Sequence, residues 1–186
     1  DKTVSLNNVA FYKAGYHFIG WSTSSDGEVI YANQDSYKMG TNSSYTLYAI
    51  WEANTNEIVF DANGGSGAMS NQQGLSNSTI TLNQCTFTAP EFYYFAGWSE
   101  TSNGSVDYLA GSSYVVGTNS VYTLYAVWEP FSYNINYVAN GGEGLEVDTF
   151  KYKESIALAT PTRDGFTFGG WFTDKNLTNE FALTTM

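Results

Sequence analysis

The chain has 186 residues, 42% hydrophobic and 17% aromatic with 13% charged, the composition of an aromatic-rich globular protein far from the disordered regime. Eighteen acidic residues against seven basic ones give a net charge of −11, which repels phosphate backbones and anionic lipid and excludes nucleic acid as a partner class. No apolar run approaches the ~20 residues that cross a bilayer, so no membrane insertion is expected of this segment.

Taken in chain order, the elements read as short strands. Thr3–Leu6 is followed by the aromatic stretch Tyr16–Trp21, an Asp26-Gly27 pair suited to a tight hairpin turn, and a closing strand over Tyr45–Trp51. Ile58, Phe60 and Ala62 then share one face of a strand that runs into Asn63-Gly64-Gly65, where glycine and asparagine tolerate positive φ and predict a turn. Strands over Thr79–Leu82 and Tyr93–Trp98, a turn at Asn103-Gly104 and a strand over Tyr122–Trp128 come next. The last part repeats the series with Ile135, Tyr137 and Ala139 before Asn140-Gly141-Gly142, then Ser155–Leu158 and Phe166–Trp171. No long 3.6-residue stripe is present; the stretches 111–117 and 86–92 are the places a short helix fits.

The order of these elements is a repeat. Trp21 and Trp98, Trp51 and Trp128, and Asn63 and Asn140 all stand 77 residues apart, whereas Trp98 and Trp171 stand 73 apart. A fixed period marks arrayed units, here long enough to hold a small core each. The expected division is a partial repeat at 1–53 lacking its first strand, a complete repeat at 54–130, and a partial repeat at 131–186 lacking its last strand; the outer two read either as artificial cuts, the preferred reading, or as a structural unit phased differently, for instance from Thr3 through Gly65. Seven residues separate Trp51 from Ile58 and Trp128 from Ile135, and Pro130 stiffens the second joint. An extended, stiff rod is expected rather than freely tumbling beads.

Three motifs recur in this order: Asn-Gly-Gly after a strand, the aromatic Phe-x-Gly-Trp stretch (in its fullest form Arg163-Asp164-Gly165-Phe166-Thr167-Phe168-Gly169-Gly170-Trp171), and Leu-Tyr-Ala-x-Trp. Together they resemble the Listeria-Bacteroides repeat family, also called the internalin B-repeat family, over essentially the whole chain. The resemblance implies mainly β structure, α+β at most: tandem β-grasp-like modules, each a short twisted sheet with little helix. It also implies a place on secreted or wall-attached bacterial proteins, with spacer or adhesin roles and no enzymatic activity. The approach to the aromatic strand departs between copies, being Lys13-Ala14-Gly15, Ala89-Pro90-Glu91-Phe92 and Arg163-Asp164-Gly165, so the basic residue is dispensable.

Each copy is a control on the others for chemistry. His17 has Tyr94 and Thr167 as counterparts, which points to a surface role on the face opposite Tyr16 and Phe18. Cys85 is the sole cysteine; it permits no intrachain disulfide, leaves the compartment undecided, and reads as a small, half-buried hydrophobe. Isopeptide chemistry within the middle unit is excluded because residues 54–130 contain no lysine or arginine. The copies do not support reading Lys151 and Lys153 that way either, and a thioester at the solitary Cys85, beside Gln84, would need a distant glutamine.

Calcium loops around Asp26, Glu28, Asp35 and Asp61 fail the same comparison, since their counterparts are Asn103, Ser105, Ser112 and Val138 and calcium needs about 6–8 oxygens. No acidic pair recurs to hydrolyse glycosides, and Glu52/Glu129 stands alone at the joint. The invariant aromatics read as core, while Tyr12, Tyr94 and Phe131 vary and are the candidates for exposed contact, without a visible common pattern.

The expected function is a non-catalytic spacer or stalk segment of a bacterial cell-surface or secreted adhesin-like protein, extracellular. The alternative is a module binding host glycoprotein or polysaccharide through exposed aromatics and polar loops. No catalytic, cofactor or metal site is expected. The expected partners are host glycan or glycoprotein and neighbouring domains of the same protein. The expected oligomeric state is a monomer whose missing strands invite edge pairing between molecules.

Overall fold

The protein is described by a computed structural model covering residues 2–181. Its strands are β1 (Lys2–Ser5), β2 (Tyr16–Ser22), β3 (Ser36–Met39), β4 (Tyr48–Ala53), β5 (Thr55–Asp61), β6 (Gln72–Leu75), β7 (Thr79–Thr81), β8 (Tyr93–Ser99), β9 (Ser113–Val115), β10 (Val121–Pro130), β11 (Ser132–Ile135) and β12 (Asp148–Lys151). Among the described residues there is no helix, so the fold is mainly β. The stretch at 111–117 contains β9 instead, because Tyr114 is buried while Val115 is exposed, the two-residue period of a strand. Residues 86–92 contain only the bridge Ser66↔Thr88.

The chain forms two compact units, residues 1–88 with 96–127 and residues 89–95 with 128–186. In the first, β5 is flanked on both sides, antiparallel to β6 and parallel to β10, with Val121 opposite Glu57 through to Tyr125 opposite Asp61. The sheet order is β6-β5-β10-β8. Alternation turns Ile58 and Phe60 inward, where they meet Leu124 and Ala126 from β10 and Trp98 from β8, while Leu82, Tyr114 and Val116 close the core beside the β7–β9 pair. Phe60 and Trp98 have ring centroids 4.7 Å apart. Every buried apolar side chain among the described residues lies between Ile58 and Ala126, the aliphatic and phenylalanine ones larger than alanine contributing about 1.5–3 kcal/mol each.

Residues 2–53 form two antiparallel pairs, β1–β3 and β2–β4. A bulge falls between Phe18 and Gly20, inside the Phe-x-Gly-Trp motif. It brings the following segment against the strand: Trp21 N–H donates to Tyr31 O at 2.8 Å, and Trp98 N–H to Tyr108 O at 2.7 Å. A Cβ on Gly20 or Gly97 would stand 2.7 or 2.6 Å from those same carbonyl oxygens, so close approach accounts for the glycine of the motif. The recurrent aromatics pack on one another, Phe18 on Trp21 at 5.0 Å and Phe168 on Trp171 at 5.2 Å.

In the second unit β11 pairs antiparallel with β12. Trp171 packs on Tyr137 at 4.6 Å and donates its indole N–H to Ala159 O at 2.9 Å. Ser155–Leu158, expected as a strand, lies outside any. Its counterpart β7 is held by β9, and among the described residues no strand occupies that place beside Ser155–Leu158.

Candidate functional site: the joints between repeats

β4 ends at Ala53 and β5 begins at Thr55, while β10 ends at Pro130 and β11 begins at Ser132. Each joint is therefore a single residue, Asn54 or Phe131, and the two are built alike. Asn54 N–H donates to Gly15 O at 2.9 Å, and Asn54 O accepts from Ser76 N–H at 2.8 Å. One period later Phe131 N–H donates to Phe92 O at 2.8 Å, and Phe131 O accepts from Tyr152 N–H at 2.9 Å.

The groups that meet the joint residue sit on tight turns. Tyr16 N–H closes on Lys13 O, Tyr93 N–H on Pro90 O and Phe166 N–H on Arg163 O, which puts Gly15, Phe92 and Gly165 at φ of 77°, 66° and 77°. Glycine adopts this left-handed conformation freely; for a bulky residue such as phenylalanine it is an outlier. On the other side, Ser78 N–H closes on Leu75 O and Glu154 N–H on Lys151 O, with Asn77 and Lys153 at φ of 62° and 65°.

Side chains differ where the backbone repeats. At the first joint His17 lies between two partners, with Nδ1 2.9 Å from Asn54 Oδ1 and Nε2 3.2 Å from Glu52 Oε2. At the second, its counterpart Tyr94 donates its hydroxyl to Glu129 Oε2 at 2.8 Å and stacks on Phe131 at 5.8 Å with 25° between the rings. The bond to Glu129, with burial second, pushes the Tyr94 hydroxyl pKa up. Phe92 and Tyr93 meet Tyr152 at 4.6 and 5.8 Å, and Lys153 Nζ lies 5.3 Å over the Tyr152 ring. Glu52 and Glu129, solitary in the sequence, thus have equivalent partners, and two of the variable aromatics, Tyr94 and Phe131, form one stack.

An open groove of about 540 Å³ runs along the first joint between His17, Glu52, Asn54, Thr118 and Ser120. Asn56 also lines it and is buried, donating Nδ2 to Ser76 Oγ at 2.8 Å and to Gly117 O at 3.0 Å. The Asn-Gly-Gly turn has a second role beyond φ. Asn63 stands at φ 45°, and its Nδ2 donates to Ser102 O and Ala126 O, both at 2.9 Å, tying the turn to β10 and to the loop after β8.

The other sequence candidates sit apart. Cys85 is half-buried, and burial pushes its thiol pKa up, the opposite of an activated thiolate. Asp26 accepts from Ser24 Oγ, the main reason its carboxyl pKa is lowered. Asp35 accepts from Ala32 N–H and Asp61 from Asn63 N–H, so all three brace their own turns. Among the described residues no three His, Cys, Asp or Glu side chains converge as metal ligands. Tyr12 is 87% exposed and remote from the Tyr94 stack in sequence. The joint residues Gly15, Phe92 and Tyr152 escaped sequence reasoning; the signal was the exchange of Gly15 and Gly165 for Phe92.

No helix among the described residues is long and apolar enough to cross a membrane. The chain is 33% identical over 93% of its length to a protein named "Putative Gly-rich membrane protein" from Evansella cellulosilytica, and 30% identical over 88% to a "Putative membrane protein" from the same organism. It spans 19% and 24% of those two relatives. No solved structure matches it. The Listeria-Bacteroides repeat domain model matches three times, over residues 1–50, 57–127 and 133–186; the chain belongs to the Listeria-Bacteroides repeat family and is a tandem-repeat segment of that kind.

Proposed function

We propose that the chain is a non-catalytic spacer segment of a longer bacterial surface protein, placed outside the cell, whose work is to hold its neighbours at a set distance. The observation that carries this reading is the joint: the same four backbone groups are hydrogen-bonded at both single-residue linkers, so the recurring chemistry serves connection. Backbone bonds on both sides of a one-residue linker restrain its dihedrals far more than a Gly/Ser tether does.

Small-angle scattering on the 186-residue chain tests it. An elongated particle with a narrow cross-section, unchanged by salt, is expected; the scattering of freely jointed beads rejects the proposal. Surface display of the relatives' products, probed by protease accessibility on intact cells, tests the location.

A second reading, recognition of host glycan, is favoured by one observation. Phe92, Tyr94, Phe131 and Tyr133 are 40%, 43%, 45% and 38% exposed and all belong to the second joint, where Glu129 adds a carboxylate beside the Tyr94 hydroxyl. Aromatic faces with a polar handle suit sugar rings. A glycan screen in which binding appears and is abolished by Tyr94→Ala would favour recognition over spacing.

A further inference from the structure

The chain enters its middle repeat on β5 and leaves it on β10. These two strands lie side by side and parallel, Val121 opposite Glu57 through to Tyr125 opposite Asp61. The ladder begins at the entrance itself, where Glu57 N–H donates to Ser120 O at 2.8 Å. A pull on the two ends of this repeat therefore draws β5 backward from Thr55 and β10 forward through Pro130. The two pulls oppose each other along the strand axes and shear the ladder, whose evenly spaced rungs share the load and must yield together. Parting the same two strands from one end would instead open the rungs one after another.

The surroundings of the pair suit it to such a load. Neither strand is an edge: in the order β6-β5-β10-β8, β5 is covered by β6 and β10 by β8, so neither can be peeled away from an open side. Ile58 and Phe60 of β5 and Leu124 and Ala126 of β10 are buried, and a slip of one residue along the ladder would turn such alternating side chains out of the core. Slack is absent at the entrance. β4 ends at Ala53, and Asn54 is bonded to Gly15 O and to Ser76 N–H, so tension reaches β5 without first straightening a loop.

We infer that the β5–β10 pair is a mechanical clamp, and that the segment has a further function: it bears tension along the array without this repeat unfolding. The inference deepens the spacer reading and rests on it for the source of the load. Survival under tension is set by the rate of unfolding and not by equilibrium stability. Shear geometry slows that rate for one direction of pull only, a dependence on direction that thermodynamic stability alone does not produce.

Single-molecule force spectroscopy on the whole chain tests it. In a Cys85→Ala background, thiol handles at Thr55→Cys and Glu129→Cys load the pair in shear, whereas handles at Thr55→Cys and Ser120→Cys open it from one end. Each handle sits at an exposed position, and each variant is pulled once its urea midpoint matches that of Cys85→Ala. Five register pairs loaded together against one at a time cap the force ratio at about five, and a ratio of about two to five is expected at equal pulling speed. The length released identifies the event: 129 − 55 = 74 residues at about 3.3–3.6 Å each extend to about 250 Å. Equal forces in the two directions overturn the inference. So does a low-force release of part of that length under shear, which would free β10 before the core opens. The two readings fail separately: rod-like scattering with equal forces keeps the spacer and removes the clamp, whereas freely jointed scattering with the force ratio intact keeps the clamp and removes the spacer.

Discussion

Phe92 holds a conformation that its two counterparts reach with glycine, and the cost and compensation are comparable in size. A non-glycine residue at positive φ costs about 1–2 kcal/mol. Against this, Phe92 is 40% exposed, so roughly three-fifths of a side chain worth about 1.5–3 kcal/mol is hidden, or about 1–2 kcal/mol. Its ring lies 4.6 Å from that of Tyr152, a contact worth about 0.5–1.5 kcal/mol more.

Replacing Phe92 by glycine relieves the strain, loses the packing, and adds about 0.4–1 kcal/mol of unfolded-state entropy, for a net loss of about 1–2 kcal/mol. Replacing it by alanine loses the packing without relief, for about 2–3 kcal/mol. The order of stability is therefore wild type, then Phe92→Gly, then Phe92→Ala, with glycine above alanine by about 1 kcal/mol, the reverse of an ordinary site. Urea unfolding followed by tryptophan fluorescence, with midpoints compared at constant m, measures it. Alanine equal to or above glycine would refute the backbone conformation. Glycine equal to wild type would refute the claim that the aromatic contact holds the strain in place.

Asn63→Ala removes two hydrogen bonds to Ser102 O and Ala126 O and strains the turn; a loss of about 2–3 kcal/mol is expected by urea unfolding, with Asn63→Gly recovering about 1 kcal/mol of it. Gly97→Ala places a Cβ 2.6 Å from Tyr108 O and against Val106; about 1–3 kcal/mol of overpacking is expected in the same assay. Tyr114 is nearly fully buried, and burial, with Glu100 next, pushes its pKa up to about 12. A folded pKa raised above the unfolded value of 10.0 gives stability that is complete below pH 10 and is lost as pH rises toward about 12. Tyr114→Phe should flatten that part of the urea midpoint against pH curve. Rebuilding the first joint as the second, His17→Tyr with Asn54→Phe, should create a ring stack over Glu52; a double-mutant cycle is expected to show favourable coupling of about 0.5–1.5 kcal/mol, and zero coupling contradicts the equivalence of the joints.

What the sequence made legible follows from what physical rule each feature obeys. Ile58, Phe60 and Trp98 were readable as core because alternation and recurrence both select for burial, whereas the equally recurrent Tyr48, read as core on the same ground, is 41% exposed. The Asn-Gly-Gly turns were readable from backbone preference alone. The ties from Asn63 to Ser102 and Ala126 were not, because a side-chain amide bond across 39 and 63 residues leaves no local pattern. β6 was missed for a related reason: Gln72-Gln-Gly-Leu75 has little strand propensity and becomes a strand by pairing with β5. Ser155–Leu158 erred in the opposite direction, since its propensity was right and among the described residues no neighbouring strand holds it. At the candidate site His17 was correctly set on the outer face, but its partner Glu52 was invisible, since the two meet only through the antiparallel register of β2 and β4.

The joints separate what must be kept from what can vary. All four groups in each connection are backbone N–H or C=O, which every residue but proline supplies, so residues 15, 54 and 76 can become 92, 131 and 152 without loss of the connection. The constraint that survives is conformational: positive φ beside the joint, met by Gly15 for free and by Phe92 at a cost. Gly15 has no such latitude, because a Cβ there would stand 2.8 Å from Thr118 and 2.9 Å from Ser76, whereas at the second joint the corresponding turn presents the Tyr152 ring. The fit at these positions therefore depends on the pair of neighbouring repeats and not on one repeat alone. A joint can be made polar and grooved, as around His17, or aromatic, as around Tyr94, while its backbone hydrogen bonds stay the same. That freedom lets a tandem array change the surface it presents at each joint without changing how its repeats are connected.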